Sequence, residues 1–230
     1  MSAMSLTAAI ADNHDVTRWG MRSAIEGMQG RVVASVQTGL DAVSAVEEHA
    51  PEVLVLSLRL PHLNGLDVLY YLQEKSLPVK TVVLTTSEKE RRVREVFGRG
   101  AHAYVRKRDS LEEICAAITT VRRGERYLSN ALPKSYMAEA GAPEALESDP
   151  YRVLTIRERE VVQMTAEGYT SREIGEQLGI SPRTVEKHRE NIKGKLGVRS
   201  IVEMADQTYQ RGYVPGPRVL RSRNRESRMA

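Results

Sequence analysis

The stretch VLVLSLRLPHLNG, residues 53–65, decides the fold. It opens as a short apolar run of the kind that makes a buried strand, ends on the polar Ser57, and passes through Pro61 to an Asn64-Gly65 turn before the next amphipathic segment. A buried strand that carries a functional group to its carboxyl end usually carries one more reactive than a serine hydroxyl. The role of Ser57 is therefore the question the sequence poses.

Working outward, the same alternation repeats. Residues 6–11, 32–36, 53–56, 81–85 and 103–105 read as strands, and residues 16–28, 40–49, 66–75, 89–99 and 111–123 carry the spacing of amphipathic helices. Gly39 with Asp41, Asn64-Gly65, Pro78, Gly100 and Asp109-Ser110 punctuate them. Five βα units in succession predict a parallel sheet with helices on both faces. In such sheets functional groups gather beyond the carboxyl ends of the strands, which here bring Asp12-Asn13, Ser57, Thr85 and Lys107 toward one site. Cys115 is expected to be a small buried hydrophobe on a stripe with Leu111, Ile114, Ile118 and Val121.

Composition narrows the class further. A chain of 230 residues with one cysteine has no disulfide framework within itself, and two small domains fit its length better than one. No apolar stretch approaches the ~20 residues of a bilayer span and no signal peptide is visible, so a soluble, cytoplasmic protein without membrane partners is expected. Charge is uneven: residues 1–150 hold 18 Lys+Arg against 20 Asp+Glu, residues 151–230 hold 16 against 10. The basic half is the candidate for a polyanionic partner. Its last twenty residues hold six arginines against Glu226 and read as a disordered tail, which weakens net charge as an argument for DNA.

Residues 128–150, rich in Ala, Pro, Gly, Ser and Glu, read as a linker with a short helix around 131–139. After it the capping signals are dense. Thr155 with Glu158 opens a helix that Gly168 stops; Thr170 with Glu173 opens a second, stopped by Gly179; Ser181-Pro182 opens a third, stopped by Gly197. A fourth is expected over residues 200–210. The short turn between the second and third helices makes them a helix-turn-helix candidate. On the third, Arg183, Lys187, Arg189, Lys193 and Lys195 outnumber Glu186 and Glu190, while Val185, Ile192 and Leu196 form a core-facing stripe. A basic exposed face on such a helix suits a phosphate-lined groove.

These segments carry a specific resemblance. IADNHDVTRWGMRSAIEG, VLVLSLRLPHLNGLDVL, VVLTTS and AYVRK resemble the receiver domain of NarL/FixJ-type bacterial response regulators, and LTIREREVVQMTAEGYTSREIGEQLGISPRTVEKHRENIKGKLGVRS resembles the LuxR/GerE-type DNA-binding domain. The resemblance implies an α/β doubly wound, flavodoxin-like receiver with strand order 2-1-3-4-5, followed by an all-α helix-turn-helix domain. The expected division is 1–127 receiver-like, 128–150 linker, 151–214 DNA-binding and 215–230 tail.

In the family's receivers, two acidic residues after the first strand and an aspartate ending the third hold Mg²⁺, and that aspartate accepts a phosphoryl group. A Thr or Ser, an aromatic and a Lys read the phosphoryl group. Carried over, Asp12 matches the first acid, Asn13 stands for the second, Ser57 stands for the phosphoacceptor, and Thr85, Tyr104 and Lys107 match the rest. A site reduced from three carboxylates to one loses most of its attraction for a hard dication, and a serine hydroxyl without a base is a poor nucleophile. The expectation is a degenerate pocket with no metal, no cofactor and no catalytic residue, in which Lys107 pairs with Asp12. A Ser57-His62-Asp12 hydrolase triad lacks the G-x-S-x-G elbow, and His14 and His62 read as solvent-facing loop residues.

In the second domain, the resemblance puts Glu186, Lys187 and Glu190 on the face that approaches base edges, with Arg183, Thr184, Arg189, Asn191, Lys193 and Lys195 contacting phosphates or positioning the helix. His188 matches an inward-facing supporting position. Ile201, Met204, Ala205 and Tyr209 match the family's dimerisation helix. The expected protein is not an enzyme but a homodimeric regulator of double-stranded DNA, acting without aspartyl phosphate, with room for a protein partner or small ligand at the receiver. The alternative is an interaction protein that heterodimerises with another response regulator, and a further rival is an acceptor of phosphorylation at Ser57.

Overall fold

β3, the strand of the opening stretch, runs Val53–Ser57 with all five residues buried, as a central strand covered on both faces must be. The computed structural model describes residues 5–138, 150–200 and 203–204. They fall into two compact units divided after Arg152.

In the first unit β1 (Thr7–Ala11), α1 (Asp15–Gly27), β2 (Arg31–Val36), α2 (Gly39–His49), β3, α3 (Gly65–Glu74), β4 (Lys80–Thr85), α4 (Glu90–Gly98), β5 (Ala103–Arg106) and α5 (Leu111–Arg122) alternate as expected. With a sixth strand, β6 (Tyr127–Leu128), the sheet is parallel throughout, in the order β2-β1-β3-β4-β5-β6. Successive side chains of a strand point to opposite faces. Ala8, Ile10, Val53, Val55, Val82, Leu84, Ala103 and Val105 therefore meet Met21 and Ile25 of α1 and Ile114, Ile118 and Val121 of α5 in one core. The intervening residues Leu54, Leu56 and Val83 are buried on the other face, the side of α2, α3 and α4.

Two differences from expectation have physical reasons. β6 (Tyr127–Leu128) extends the sheet beside β5 into the segment that reads as linker. A two-residue strand carries no periodicity, so composition hides it. The short helix α6 spans Ser135–Ala138, and Glu139, at the end of its expected range, lies outside the described residues. Cys115 is only partly buried and Leu111 is 44% exposed. The buried stripe of α5 is Ile114, Ala117, Ile118 and Val121, which rotates Leu111 and Cys115 to its rim.

Asn64-Gly65 is a helix start rather than a free turn. The Asn64 side chain accepts hydrogen bonds from the backbone N–H groups of Leu66 and Asp67, capping α3. Glycine follows for a steric reason: a Cβ on Gly65 would lie 2.4 Å from the carbonyl oxygen of Ser57. Gly39 is tighter still, since its Cβ would lie 1.7 Å from the Leu63 carbonyl oxygen. The loop leaving β3 is thus packed backbone-to-backbone between the starts of α2 and α3.

The second unit contains α7 (Ile156–Ala166), α8 (Ser171–Leu178) and α9 (Pro182–Leu196). Both expected capping boxes form: Thr155 and Glu158 reciprocate at α7, Thr170 and Glu173 at α8. Ser181 caps α9 with Pro182 as its first residue. Gly168, Gly179 and Gly197 all have positive φ, the left-handed conformation that ends a helix cheaply only at glycine. Of the expected fourth helix, Ser200, Glu203 and Met204 are described, and the Met204 backbone N–H donates to the Ser200 carbonyl at 3.1 Å.

Candidate functional site

The carboxyl ends of β1, β3, β4 and β5 converge where the strand order reverses around β1 and β3. Asp12, just past β1, is 1% exposed. Its Oδ1 accepts the backbone N–H of His14 at 2.8 Å and lies 3.0 Å from the His14 ring Nδ1. Its Oδ2 is 2.5 Å from Lys107 Nζ. No hydrogen-bond donor is aligned on that buried Oδ2, so the contact with Lys107 is an ion pair by proximity rather than by direction.

Ser57, at the end of β3, is 2% exposed, and its hydroxyl makes no hydrogen bond to another described residue. It lines a pocket of 350 Å³ with Thr85 and Lys107, whose rim includes His14, Arg59 and Thr86. Thr85 Oγ1 accepts the Ser87 backbone N–H at 3.1 Å. Tyr104 is fully buried; its hydroxyl donates to the Ser87 carbonyl at 2.9 Å, and burial pushes its phenol up to about 12.

Of the residues expected here, Asp12, Ser57, Thr85 and Lys107 come together, and Tyr104 joins them through Ser87. Asn13 is exposed and does not line the pocket. His14 is a correction in part: exposed on its own surface, it is nonetheless tied to Asp12. Arg59 was not singled out in the sequence; it sits two residues past Ser57, beyond the end of β3, and lines the pocket from the loop.

In the second unit, Ser171 of α8 bridges to α9. Its hydroxyl is hydrogen-bonded to Glu186 and accepts from Arg189 at 2.5 Å. Arg189 also donates to Thr165 Oγ1, the Tyr169 carbonyl and Glu186. This corrects the reading of Arg189 as part of the exposed basic face: it is 8% exposed and stitches α9 to α7 and α8. Arg183, Glu186, Lys187, Glu190, Asn191 and Lys195 are exposed, and Thr184, His188 and Lys193 are half-buried. Lys193 pairs with Glu190 at 2.6 Å and Lys195 with Glu158 at 2.7 Å. Burial alone would raise the Glu158 carboxyl, but the Lys195 ammonium and the Thr155 cap hold it below the ordinary range. Among the residues expected at a dimer face, Met204 is fully buried, which removes it from any exposed stripe. Ile201, Ala205 and Tyr209 lie outside the described residues.

A doubly wound sheet with a pocket at its strand ends, joined in one chain to a capped helix-turn-helix, defines a receiver coupled to a DNA-binding module. The comparisons agree on both halves. Residues 8–119 match the response regulator receiver domain, and residues 152–208 match the bacterial regulatory proteins of the luxR family. The oxygen regulatory protein NreC of Staphylococcus aureus (strain MRSA252) is 32% identical over 203 residues, covering 86% of this chain and 94% of the relative. Among solved structures, the RcsB response regulator of Salmonella typhimurium superposes with a TM-score of 0.52 at 20% identity, over 89% of this chain and 100% of that one. RcsB from Salmonella enterica serovar Typhimurium bound to promoter rprA gives 0.50 at 21% identity, over 88% and 97%. The chain belongs to the NarL/FixJ-type response regulators, DNA-binding proteins of transcription regulation.

The Mg²⁺ that the receiver fold implies does not fit the donors present. Asp12 is the one carboxylate at the strand ends, and both of its oxygens are already engaged, by His14 and by Lys107. Among the described residues no group of three or more His, Cys, Asp or Glu could hold a metal ion. No helix among them is long and apolar enough to cross a membrane.

Proposed function

We propose that this regulator binds specific DNA sequences as a homodimer and does so without aspartyl phosphate. The observation that carries the reading is the Asp12–Lys107 ion pair beside Ser57. The lysine already has a fixed anionic partner, and no carboxylate stands at the end of β3 to accept a phosphoryl group. Serine in that place lacks a base to activate it. Tyr104, held inward by Ser87, supports a receiver that keeps one conformation.

On α9, Arg183, Lys187 and Asn191 have no side-chain partner among the described residues, whereas Glu186 is bound by Arg189 and Ser171 and Glu190 by Lys193. Lys187 is the foremost candidate to donate to guanine O6 or N7, with Glu186 and Glu190 as acceptors from cytosine N4 after exchanging partners. Arg183, Thr184, Asn191, Lys193 and Lys195 serve phosphates, and Arg189 positions the helix. For the dimer, the exposed apolar residues Val16 and Trp19 of α1, 84% and 77% exposed, with Leu111 of α5, support a face on the receiver.

The test is to select binding sites from genomic DNA with untreated protein and measure affinity with and without acetyl phosphate and Mg²⁺. Nanomolar-range binding, unchanged by the phosphodonor, is expected. A gain of tenfold or more on treatment would sink the proposal. Binding that arises only after mixing with a second response regulator favours the heterodimer reading.

A further inference from the structure

The two acidic side chains of α9 are held in different ways. Glu186 is 54% exposed, yet its Oε1 accepts a hydrogen bond from the Ser171 hydroxyl of α8 and another, at 3.1 Å, from Arg189 Nη1. The Arg189 side chain is 9% exposed and is itself fixed from two further places, by Thr165 Oγ1 of α7 at 3.2 Å and by the Tyr169 carbonyl at 3.1 Å. Ser171 closes the triangle, since its oxygen accepts from the same Nη1 at 2.5 Å. Oε1 is thus bound by two donors anchored in the packing of the domain, while Oε2 has no partner among the described residues. Glu190 has no such frame: its one described partner is Lys193, on the same helix.

A lone carboxylate on a helix that approaches DNA is repelled by the phosphates, and its long side chain must lose rotamer freedom before it can meet a base. Here the Arg189 guanidinium offsets the charge, and the two hydrogen bonds fix the rotamer before DNA arrives. We propose that Ser171 is a specificity-determining positioning residue, which with Arg189 presents Glu186 Oε2 as a fixed acceptor and so selects cytosine at one position of the operator. In the major groove cytosine offers only its N4 amino donor, whereas guanine and thymine offer acceptors that a carboxylate opposes, and adenine sets its N7 acceptor beside its N6 donor. The contact that Glu186 gives up to a base is then the one with solvent at Oε2, and Oε1 keeps both of its own. This role rests on sequence-specific DNA binding by the protein, and it lets a side chain of α8 set a base preference without touching a base.

The experiment takes the site selected by the full-length protein and replaces each of its base pairs in turn. Fluorescence anisotropy then gives the affinity of the unaltered protein and of Glu186→Ala, Ser171→Ala and Ser171→Thr for every member of the panel. In the unaltered protein, thymine in place of the cytosine should weaken binding about tenfold or more. Glu186→Ala should erase the preference at that position alone, which identifies it. Ser171→Ala should reduce the same preference about fivefold, with preferences elsewhere, affinity for unrelated DNA and the melting temperature little changed. Ser171→Thr, which keeps the hydroxyl, should restore it. An unchanged panel in Ser171→Ala, or an equal loss on every sequence, overturns the proposal. So does a Glu186→Ala variant that keeps every preference, or a Ser171→Thr variant that behaves as Ser171→Ala. Sequence-specific binding itself survives all of these results. Unaltered protein that binds the selected site no more tightly than unrelated DNA overturns that reading and the proposal together.

Discussion

At the scale of single residues, a buried charge acts through the partners it holds. Lys107 holds the charge of a nearly inaccessible Asp12. Removing one member of such a pair leaves the other uncompensated, so Lys107→Met should destabilise the receiver by on the order of 2–4 kcal/mol, with much of that recovered in the Lys107→Met/Asp12→Asn double variant. Denaturant unfolding of the three proteins checks it, and an additive double variant would contradict the pairing. Arg189 and Lys187, two residues apart on α9, separate support from readout. Arg189→Ala should lower the thermal stability of the second domain by removing hydrogen bonds to Thr165, Ser171 and Tyr169. Lys187→Ala should leave stability unchanged and weaken specific binding by about 1–3 kcal/mol, with non-specific affinity much less affected; fluorescence anisotropy on operator and unrelated DNA reads both. Composition shows Arg189 and Lys187 alike as basic residues of one helix, and the resemblance puts only Lys187 toward base edges while leaving Arg189 to phosphates or to positioning. The packing of α9 against α7 and α8 favours positioning for Arg189.

At the scale of elements, the second domain's helices were legible because their ends carry their own chemistry. A Thr four places before a buried apolar residue says little, but Thr155 with Glu158 and Thr170 with Glu173 each name two hydrogen bonds, and all four form. Thr155→Ala should cost about 1 kcal/mol. The Glu158 carboxyl is depressed in the folded protein below its ordinary 4.5, so its contribution is present above that pH and is lost as pH falls through the folded value. Glu158→Gln should therefore destabilise the domain at pH 7 and flatten the acid limb of its stability profile, which chemical denaturation across pH 3–7 would show. The five long strands and five helices of the receiver were equally legible from alternation, to within a residue or so. β6 was not, since it is defined by pairing with β5 and has no pattern of its own. The pocket was half legible: strand-end residues could be listed in advance, whereas the attachment of His14 to Asp12 and the turn of Arg59 into the rim depend on loop conformation that no periodicity encodes.

At the scale of the whole molecule, the proposed homodimer requires a face on which two chains can meet. Trp19, the one tryptophan of the chain, is 77% exposed on α1, an expensive placement for so large an apolar surface in water. Trp19→Glu should weaken self-association by at least about tenfold without changing the circular dichroism, and sedimentation velocity over a concentration series would show it. A chain that sediments identically before and after the change would move the dimer to another face. The receiver's loop after β3 separates what holds the pocket in shape from what lines it. Gly39 and Gly65 grip that loop through main-chain atoms, at the Leu63 and Ser57 carbonyls, so the Ser57 side chain that lines the pocket takes no part in the Gly65 contact. A cavity whose walls are fixed by main chain can exchange its lining one side chain at a time without risking the fold. Ser57→Asp should therefore leave the loop and the starts of α2 and α3 in place, since the Gly65 contact is made to the main-chain carbonyl at that position and not to its side chain.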